Sequence, residues 1–452
     1  MSRSGIGHGT RLGDHAVVLG GSIAGLFAAR VLSDHFERVT LFDRDVLPAD
    51  ASGRKGVPQG AHFHSFALRG ERIAEGWFPG LSEGLRRRGA VGVELGPDFR
   101  WFHFGGWKSG RPSGLELTCL TRPEIEAEVR VRVAALPNVR IVERTEVLGL
   151  VAEGRRVAGV RVRERTDGAE EAVSAALVVD ATGRGSQGPR WLEAIGCARP
   201  PESSVKVDVG YATRFFRRPP DGTVPWKVLF VVGEAPGSRR LGIVAPVEGG
   251  RWIALLVGLL GDHPPADDEG WMAFARSLPN PELADALAAA EPLTSAATYR
   301  FPAHLRRHYE RMPDLPDGFV VVGDAHCSFN PIYGQGMTAA ALGVEALDRA
   351  LSSAAASGRG LLGFSAPTQR AIASTADGAW MMATGEDLRH PEVAGERPFG
   401  TALVNAYMAR LMRATQRDPA LTAVLYRVVH MLAEPTALMH PAVAARVLWH
   451  GW

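Results

Sequence analysis

A glycine turn set between an apolar strand and an apolar helix constrains this chain more than any other segment. Gly20-Gly21-Ser22-Ile23-Ala24-Gly25 follows residues 15–19, which read as a buried strand, and opens residues 23–32, whose apolar spacing predicts a helix. Residues 39–42 read as a second strand that ends on Asp43, 18 residues beyond Gly25. A βαβ unit with an acid after its second strand is the pattern of a dinucleotide site. The glycines let the backbone approach a pyrophosphate, which rests on the positive end of the helix. Gly20, Gly21, Ser22 and Gly25 are therefore candidate pyrophosphate contacts, and Asp43, with Arg44 beside it, a candidate ribose contact. Ser22 stands where such turns often carry their middle glycine; its hydroxyl can itself bind phosphate. An ordinary βα turn can carry the same glycines, so the weight rests on the flanking strand, helix and acid.

At 452 residues the chain exceeds one simple core and predicts two or three intertwined subdomains. Its 46% hydrophobic and 22% charged residues are those of a globular protein. A net charge of +2 implies no strong electrostatic partner, and nucleic acid is not expected. Arg86-Arg87-Arg88 reads as a solvated helix face. Cys119, Cys197 and Cys327 are scattered and odd in number, which predicts a reducing compartment without disulfides, and none has metal-ligand spacing. No signal-peptide core or bilayer-length apolar run is present, so a cytoplasmic location is expected and membrane contact is not.

The predicted elements return repeatedly to one nucleotide-binding unit. Residues 1–90 supply its first part, 121–200 its second and 301–360 its third. Short aromatic strands in 91–120 and half-buried strands in 201–300 predict a separate sheet forming one wall of a ligand chamber, and 361–452 a helical region. Within these parts, 71–88, 122–136, 267–278, 281–290 and 335–356 read as helices, and 147–162 as a hairpin. Apolar positions in 421–432 repeat at helical spacing, which predicts packing against the nucleotide domain.

Two further strand-then-glycine segments carry chemistry. Asp180-Ala181-Thr182-Gly183 ends a buried strand on an acid followed by small residues. Gly323-Asp324-Ala325-His326 delivers a second acid to a loop, and Pro331, Gly334, Gly336 and Met337 then open a helix whose start can stabilise negative charge on a bound ring. These three motifs, in this order, resemble the glutathione-reductase-type FAD fold of single-component flavoprotein monooxygenases. The resemblance implies an α/β fold: a Rossmann-like FAD-binding domain, an inserted β-sheet substrate domain and a C-terminal helical region. It places Gly20, Ser22 and Gly25 at the pyrophosphate, Asp43 at the adenosine ribose and Asp324 at the ribityl chain. Arg122 matches an FAD-contacting arginine, and Asp180, Gly183 and Gly323 join the cofactor set. Arg54-Lys55-Gly56-Val57-Pro58-Gln59, Tyr211-Ala212-Thr213-Arg214 and Phe329-Asn330-Pro331-Ile332-Tyr333-Gly334 are similar to segments of FAD-dependent polyene epoxidases of the monensin and lasalocid type. That likeness covers most of residues 14–385 and adds Arg54 and Lys55 to the cofactor set.

The resemblance implies a monooxygenase in which a flavin C4a-hydroperoxide epoxidises or hydroxylates a large apolar secondary metabolite: a polyene, terpenoid or aromatic. Molecular oxygen is the co-substrate. NAD(P)H is the expected reductant, acting directly or through a partner reductase, since the chain has no second nicotinamide-type glycine pattern. The protein must position substrate and exclude water; no proton-shuttling triad is required. His62, His64 and Tyr333 are tentative catalytic residues, the histidines equally readable as hydrogen-bonded loop residues. Trp101, Phe104, Trp107, Tyr211, Phe215 and Phe329 are tentative pocket residues, readable also as core. The Trp-x-Trp-x-Ile-Pro signature of flavin halogenases is absent. Two alternatives share the fold: a reductase of isoprenoid double bonds, and a non-redox flavoprotein cyclase.

Overall fold

The computed structural model describes residues 11–48, 50–54, 56–397 and 399–450; Lys55 lies outside the described residues. Strand Gly13–Leu19 is buried on both faces, which explains its continuous apolar run. It occupies the centre of a five-stranded parallel sheet. The order is Phe319–Val321, Leu177–Asp180, Gly13–Leu19, Phe36–Phe42, Val139–Val142. Side chains alternate between two cores. Ala16 and Val18 pack with helices Ile23–His35, Arg122–Ala134 and Gly336–Ser357. Val17 and Leu19 pack with Leu150, Val157 and Val160 of a three-stranded antiparallel layer. The edge strand Phe319–Val321 is covered rather than open: Gln369 accepts from the Val321 N–H at 2.9 Å and donates to its carbonyl at 3.1 Å.

An eight-stranded sheet carries the second core. It runs from Cys327–Ser328 through Ala297–Arg307, Glu202–Arg217, Arg251–Gly258, Arg240–Val247, Val228–Val232 and Phe99–His103 to Gly106–Trp107. Its strands are also buried on both faces. Ala212, Trp252, Ala254 and Leu256 pack under helices Asp268–Arg276 and Glu282–Ala288. Tyr211, Ile253, Leu255 and Val257 face the other way, toward Leu425 and Tyr426 of helix Pro419–Val429.

Three expectations are corrected. The helix expected over 71–88 is two, Leu68–Trp77 and Leu81–Arg87, because Pro79 and a left-handed Gly80 (φ 77°) interrupt it. The strands of 91–120 divide between sheets. Val91–Glu94 pairs antiparallel with Glu116–Cys119, whereas Phe99–His103 pairs parallel with Val228–Val232. The apolar stripe of 421–432 does not pack against the nucleotide-type sheet: Leu425, Val429 and Leu432 join the core of the larger sheet with Trp101 and Val228, and Leu421, Val424 and Val428 pack among the C-terminal helices.

Gly25 is the tightest point of the first turn: a Cβ there would lie 1.8 Å from the Gly20 carbonyl oxygen. Gly76, in a helix, has nothing within 4 Å of its Cβ position. Gly25→Ala is expected to cost more than about 3 kcal/mol, and Gly76→Ala to stabilise by up to about 1 kcal/mol. Urea unfolding of both variants checks this; equal midpoints would contradict the packing described.

Candidate functional site

The three glycine turns meet at the C-terminal ends of the parallel strands, where open α/β sheets bind ligands. A cavity of about 410 Å³ lies among them, lined by Gly20, Gly21, Ser22, Asp43, Arg44, Arg54, Arg122, Gly183, Asp324, Phe329, Pro331, Gly334, Gly336 and Met337. Gly20 (φ 98°) brings the backbone so close that a Cβ would lie 2.6 Å from the Ala181 carbonyl. Gly21 N–H donates to Asp43 Oδ2 at 2.7 Å, fixing the acid beside the turn. Ser22 occupies the helix N-cap but does not cap it; its hydroxyl donates to Glu126 Oε2 (2.6 Å) and accepts from Arg122 Nη2 (2.9 Å). No acid lies in the first turn of this helix, so its leading N–H groups and dipole remain available to an anion. Helix Gly336–Ser357 opens on the same cavity and likewise lacks a side-chain cap and a first-turn acid.

Charges around the first turn nearly balance. Arg54 reaches Asp43, Asp45 and Glu126, each at 3.2 Å, and Arg130 reaches Glu126 at 3.5 Å. Glu126 was not singled out in the sequence; one turn after Arg122, it had no signal of its own. Asp324 is exposed where it opens onto the cavity, though surrounded by protein. Burial pushes its carboxyl above the usual range, while Arg122 and Arg184 pull it down. Its carboxylate accepts no hydrogen bond from the described residues. Arg122 is itself buried, which lowers its pKa, and its Nε has no partner.

A second cavity, about 110 Å³, adjoins the first, and Gln59, His64, Ser65, Tyr299, Pro331 and Gly334 line both. Its remaining wall is Phe63, Phe99, Leu117, Phe230, Leu241, Ile243, Leu255, Ile332 and Val429, with His62, Tyr211, Tyr333 and His430. His62 and His64 do share an extended segment and both reach this chamber. His62 Nδ1 lies 2.8 Å from Thr213 Oγ1, and burial pushes its pKa down to about 4. His64 Nδ1 donates to the His62 carbonyl (2.9 Å), so its Nε2 accepts from Arg122 (3.3 Å); burial and Arg122 hold it neutral, with a pKa of about 3.

Several expected site residues lie elsewhere. Asp180 lines neither cavity; fully buried, it accepts from Thr182 and Ser186 and holds the Ala181–Gly185 loop from behind. Gly25 and Gly323 serve close packing, Gly25 against Gly20 and Gly323 against Ala24, and are not on the wall. Trp101, Phe104, Trp107 and Phe215 also line neither cavity. Trp101 stacks between Phe230 and Tyr426, Phe104 lies under Arg389 and Arg413, Trp107 under Arg100 and Phe215 under Arg251. Phe329 borders the first cavity rather than the chamber. Only Tyr211 of that set faces the chamber.

A buried carboxylate from the C-terminal region holds the chamber's floor. Asp387, 1% exposed, accepts from Tyr333 Oη (2.7 Å), Asn330 Nδ2 (3.2 Å) and His304 Nε2 (2.6 Å). Asn330 N–H donates to His304 Nδ1, which fixes the proton on Nε2. Tyr211 in turn donates to Asn330 Oδ1 at 2.6 Å. No motif flagged Asp387, because its partners lie 54 to 83 residues away.

A model of the FAD dependent oxidoreductases matches residues 16–189. The chain belongs to that class, in one family with Protein Rv3254 of Mycobacterium tuberculosis (strain ATCC 25618 / H37Rv), to which it is 35% identical across 97% of this chain and 94% of the relative. The flavin-dependent brominase Bmp2 shares the fold with a TM-score of 0.69 at 14% identity, over 97% of this chain and 98% of its own. PqsL, a probable FAD-dependent monooxygenase from Pseudomonas aeruginosa, does so with a TM-score of 0.60 at 18% identity, over 83% and 97%. The residues present suit FAD: two uncapped helix starts face one cavity, Arg122 Nε is buried without a partner, and the glycine turns leave no room for side chains at the approach.

Asp387→Ala leaves three buried donors unpaired and is expected to cost about 3 kcal/mol, with Asp387→Asn costing less; urea unfolding measures both. The buried histidines also set a pH dependence. His62 and His64 bind protons when unfolded, near pH 6.5, but in the fold only near pH 4 and 3. The unfolded state therefore holds more protons below pH 6.5. Stability should be flat above that pH and fall by about 1.4 kcal/mol per unit for each histidine down to pH 4. Unfolding free energies at pH 7, 6 and 5 test this, and a slope that flattens in His62→Gln identifies the residue.

Proposed function

We propose that the protein is an FAD-dependent monooxygenase that epoxidises or hydroxylates an apolar organic substrate, in the manner of the polyene epoxidases its motifs resemble. The observation that carries this reading is the largely apolar chamber sharing a wall with the nucleotide cavity. The structural likeness to PqsL supports it. Reduced flavin, when bound, supplies the activation of dioxygen for transfer of one oxygen atom.

The chain's own residues would bind, orient and shield. Gly20, Gly21 and Ser22 would receive the pyrophosphate at the helix start, Asp43 with Arg44 and Arg54 the adenosine ribose, and Asp324 the ribityl chain. Gly183 would border the nucleotide, and Pro331 to Met337 would present the second helix start to the ring, favouring its anionic form. His62 and His64, held neutral, act as walls rather than acids. The chamber keeps bulk water from the reacting atoms. Electrons would come from NAD(P)H, directly or through a partner reductase. Lys108, a buried lysine, donates to the Met412 carbonyl and lines neither cavity, so among the described residues no lysine stands at the site for a halogenation reading.

The purified protein should be yellow and release FAD on denaturation, and Asp324→Ala should lose most of it, read by absorbance against protein concentration. Turnover under labelled oxygen gas should place one labelled atom in the product and the other in water. Anaerobic turnover would instead favour a double-bond reductase, and protein that takes up no FAD would end the proposal.

A further inference from the structure

The chamber wall carries no charged side chain among the described residues. Arg122 lines the nucleotide cavity instead and is directed to Ser22 and to the shared-wall residue His64. Histidine does not supply the missing charge: burial pushes His430 down to about 4, as it does His62. A carboxylate brought into this chamber would be desolvated with no counter-ion, at a cost of several kcal/mol.

Gln59, Ser65 and Tyr299 stand on the wall shared with the nucleotide cavity; of the four polar side chains that face the chamber alone, three are committed within the protein. His62 pairs with Thr213, Tyr211 donates to Asn330 and Tyr333 donates to Asp387. His430 differs. It is 6% exposed, and its imidazole makes no hydrogen bond to any described residue; Nδ1 is wholly buried without a partner. Unpaired polar groups at such depth are unfavourable unless something completes them. The left-handed Met431 (φ 57°) follows directly, and the His430 carbonyl accepts from Arg69 N–H at 3.2 Å, so the backbone that carries the ring is held.

We propose that the chamber takes an uncharged, mainly apolar substrate oriented by a single hydrogen bond to His430. This rests on the monooxygenase reading and gives it a substrate class. At about 110 Å³ the chamber is of the order of the ~150 Å³ apolar cavity that admits benzene, and it adjoins the first cavity along a shared wall. A large substrate would thus place one ring-sized portion here, with the bond to His430 setting which atom meets the shared wall of Tyr299, Pro331 and Gly334.

The test is calorimetric titration of the FAD-loaded protein at pH 7 with p-cresol, toluene and 4-methylbenzoate, which share a tolyl ring. p-Cresol should bind tightest, toluene about threefold to tenfold more weakly, and 4-methylbenzoate about 100-fold more weakly or not at all. His430→Phe should erase the difference between p-cresol and toluene, and His430→Gln, which keeps a donor and an acceptor, should restore part of it. Equal binding of 4-methylbenzoate, a p-cresol preference that survives in His430→Phe, or failure of all three to bind would overturn the proposal. Flavin loading is read by absorbance beforehand, and calorimetry needs no turnover. A colourless protein therefore counts against the monooxygenase reading, whereas a wrong ligand order in yellow protein counts against this inference alone.

Discussion

The close approach of backbone to backbone at the ends of three parallel strands is the constraint on which the site depends. Gly20 lies against the Ala181 carbonyl, Gly25 against the Gly20 carbonyl, and Gly323 against Ala24. These contacts draw together segments some 160 and 300 residues apart, and they tolerate no Cβ. Because Gly25 and Gly323 take up the packing, the faces of Gly20, Gly21 and Gly183 are left for the cavity. Part of each glycine motif thus builds the turn, and only part of it meets a ligand.

Electrostatics completes what packing begins. Around the first turn, Arg54, Arg122 and Arg130 face Asp43, Asp45 and Glu126, a cluster whose formal charges cancel. The positive ends of two helices then remain as the uncompensated charge at the cavity. A diphosphate and an anionic ring are the groups such a field favours. The chamber next door follows the opposite rule. Its histidines are held neutral and the Tyr211 and Tyr333 hydroxyls are engaged within the protein, so most of what it offers a ligand is apolar surface.

The nucleotide-type sheet was legible because its signals are local. A buried strand, a glycine with positive φ and an apolar helix follow one another within 20 residues, and the same order recurs at Asp180 and Asp324. Those two acids look alike in sequence yet differ in space. Asp180 spends its carboxylate on Thr182 and Ser186, whereas Asp324 faces the cavity, and nothing local distinguishes a self-satisfied acid from an open one. The aromatic strands misled for a related reason. Both faces of the larger sheet are buried, so alternation in Phe99–His103 and Glu202–Arg217 does not report which face lines a chamber. Tyr211 faces it, but Trp101 is covered by Tyr426, a residue more than 300 positions later in the chain.

That distance gives the C-terminal region its meaning. From the sequence it reads as an amphipathic tail, yet its residues close the site from behind. Gln369 and Ser365 satisfy the open edge of the parallel sheet. Asp387 gathers Tyr333, Asn330 and His304, and so fixes the turn between the two cavities. Val429 and His430 complete the chamber wall. The Asp387 carboxyl is accommodated in the interior because three donors converge on it, and Tyr333, the one of them on the chamber wall, is thereby engaged. One buried carboxylate therefore both anchors the helices and engages Tyr333, which leaves His430 as the unengaged polar group on the part of the wall that the nucleotide cavity does not share.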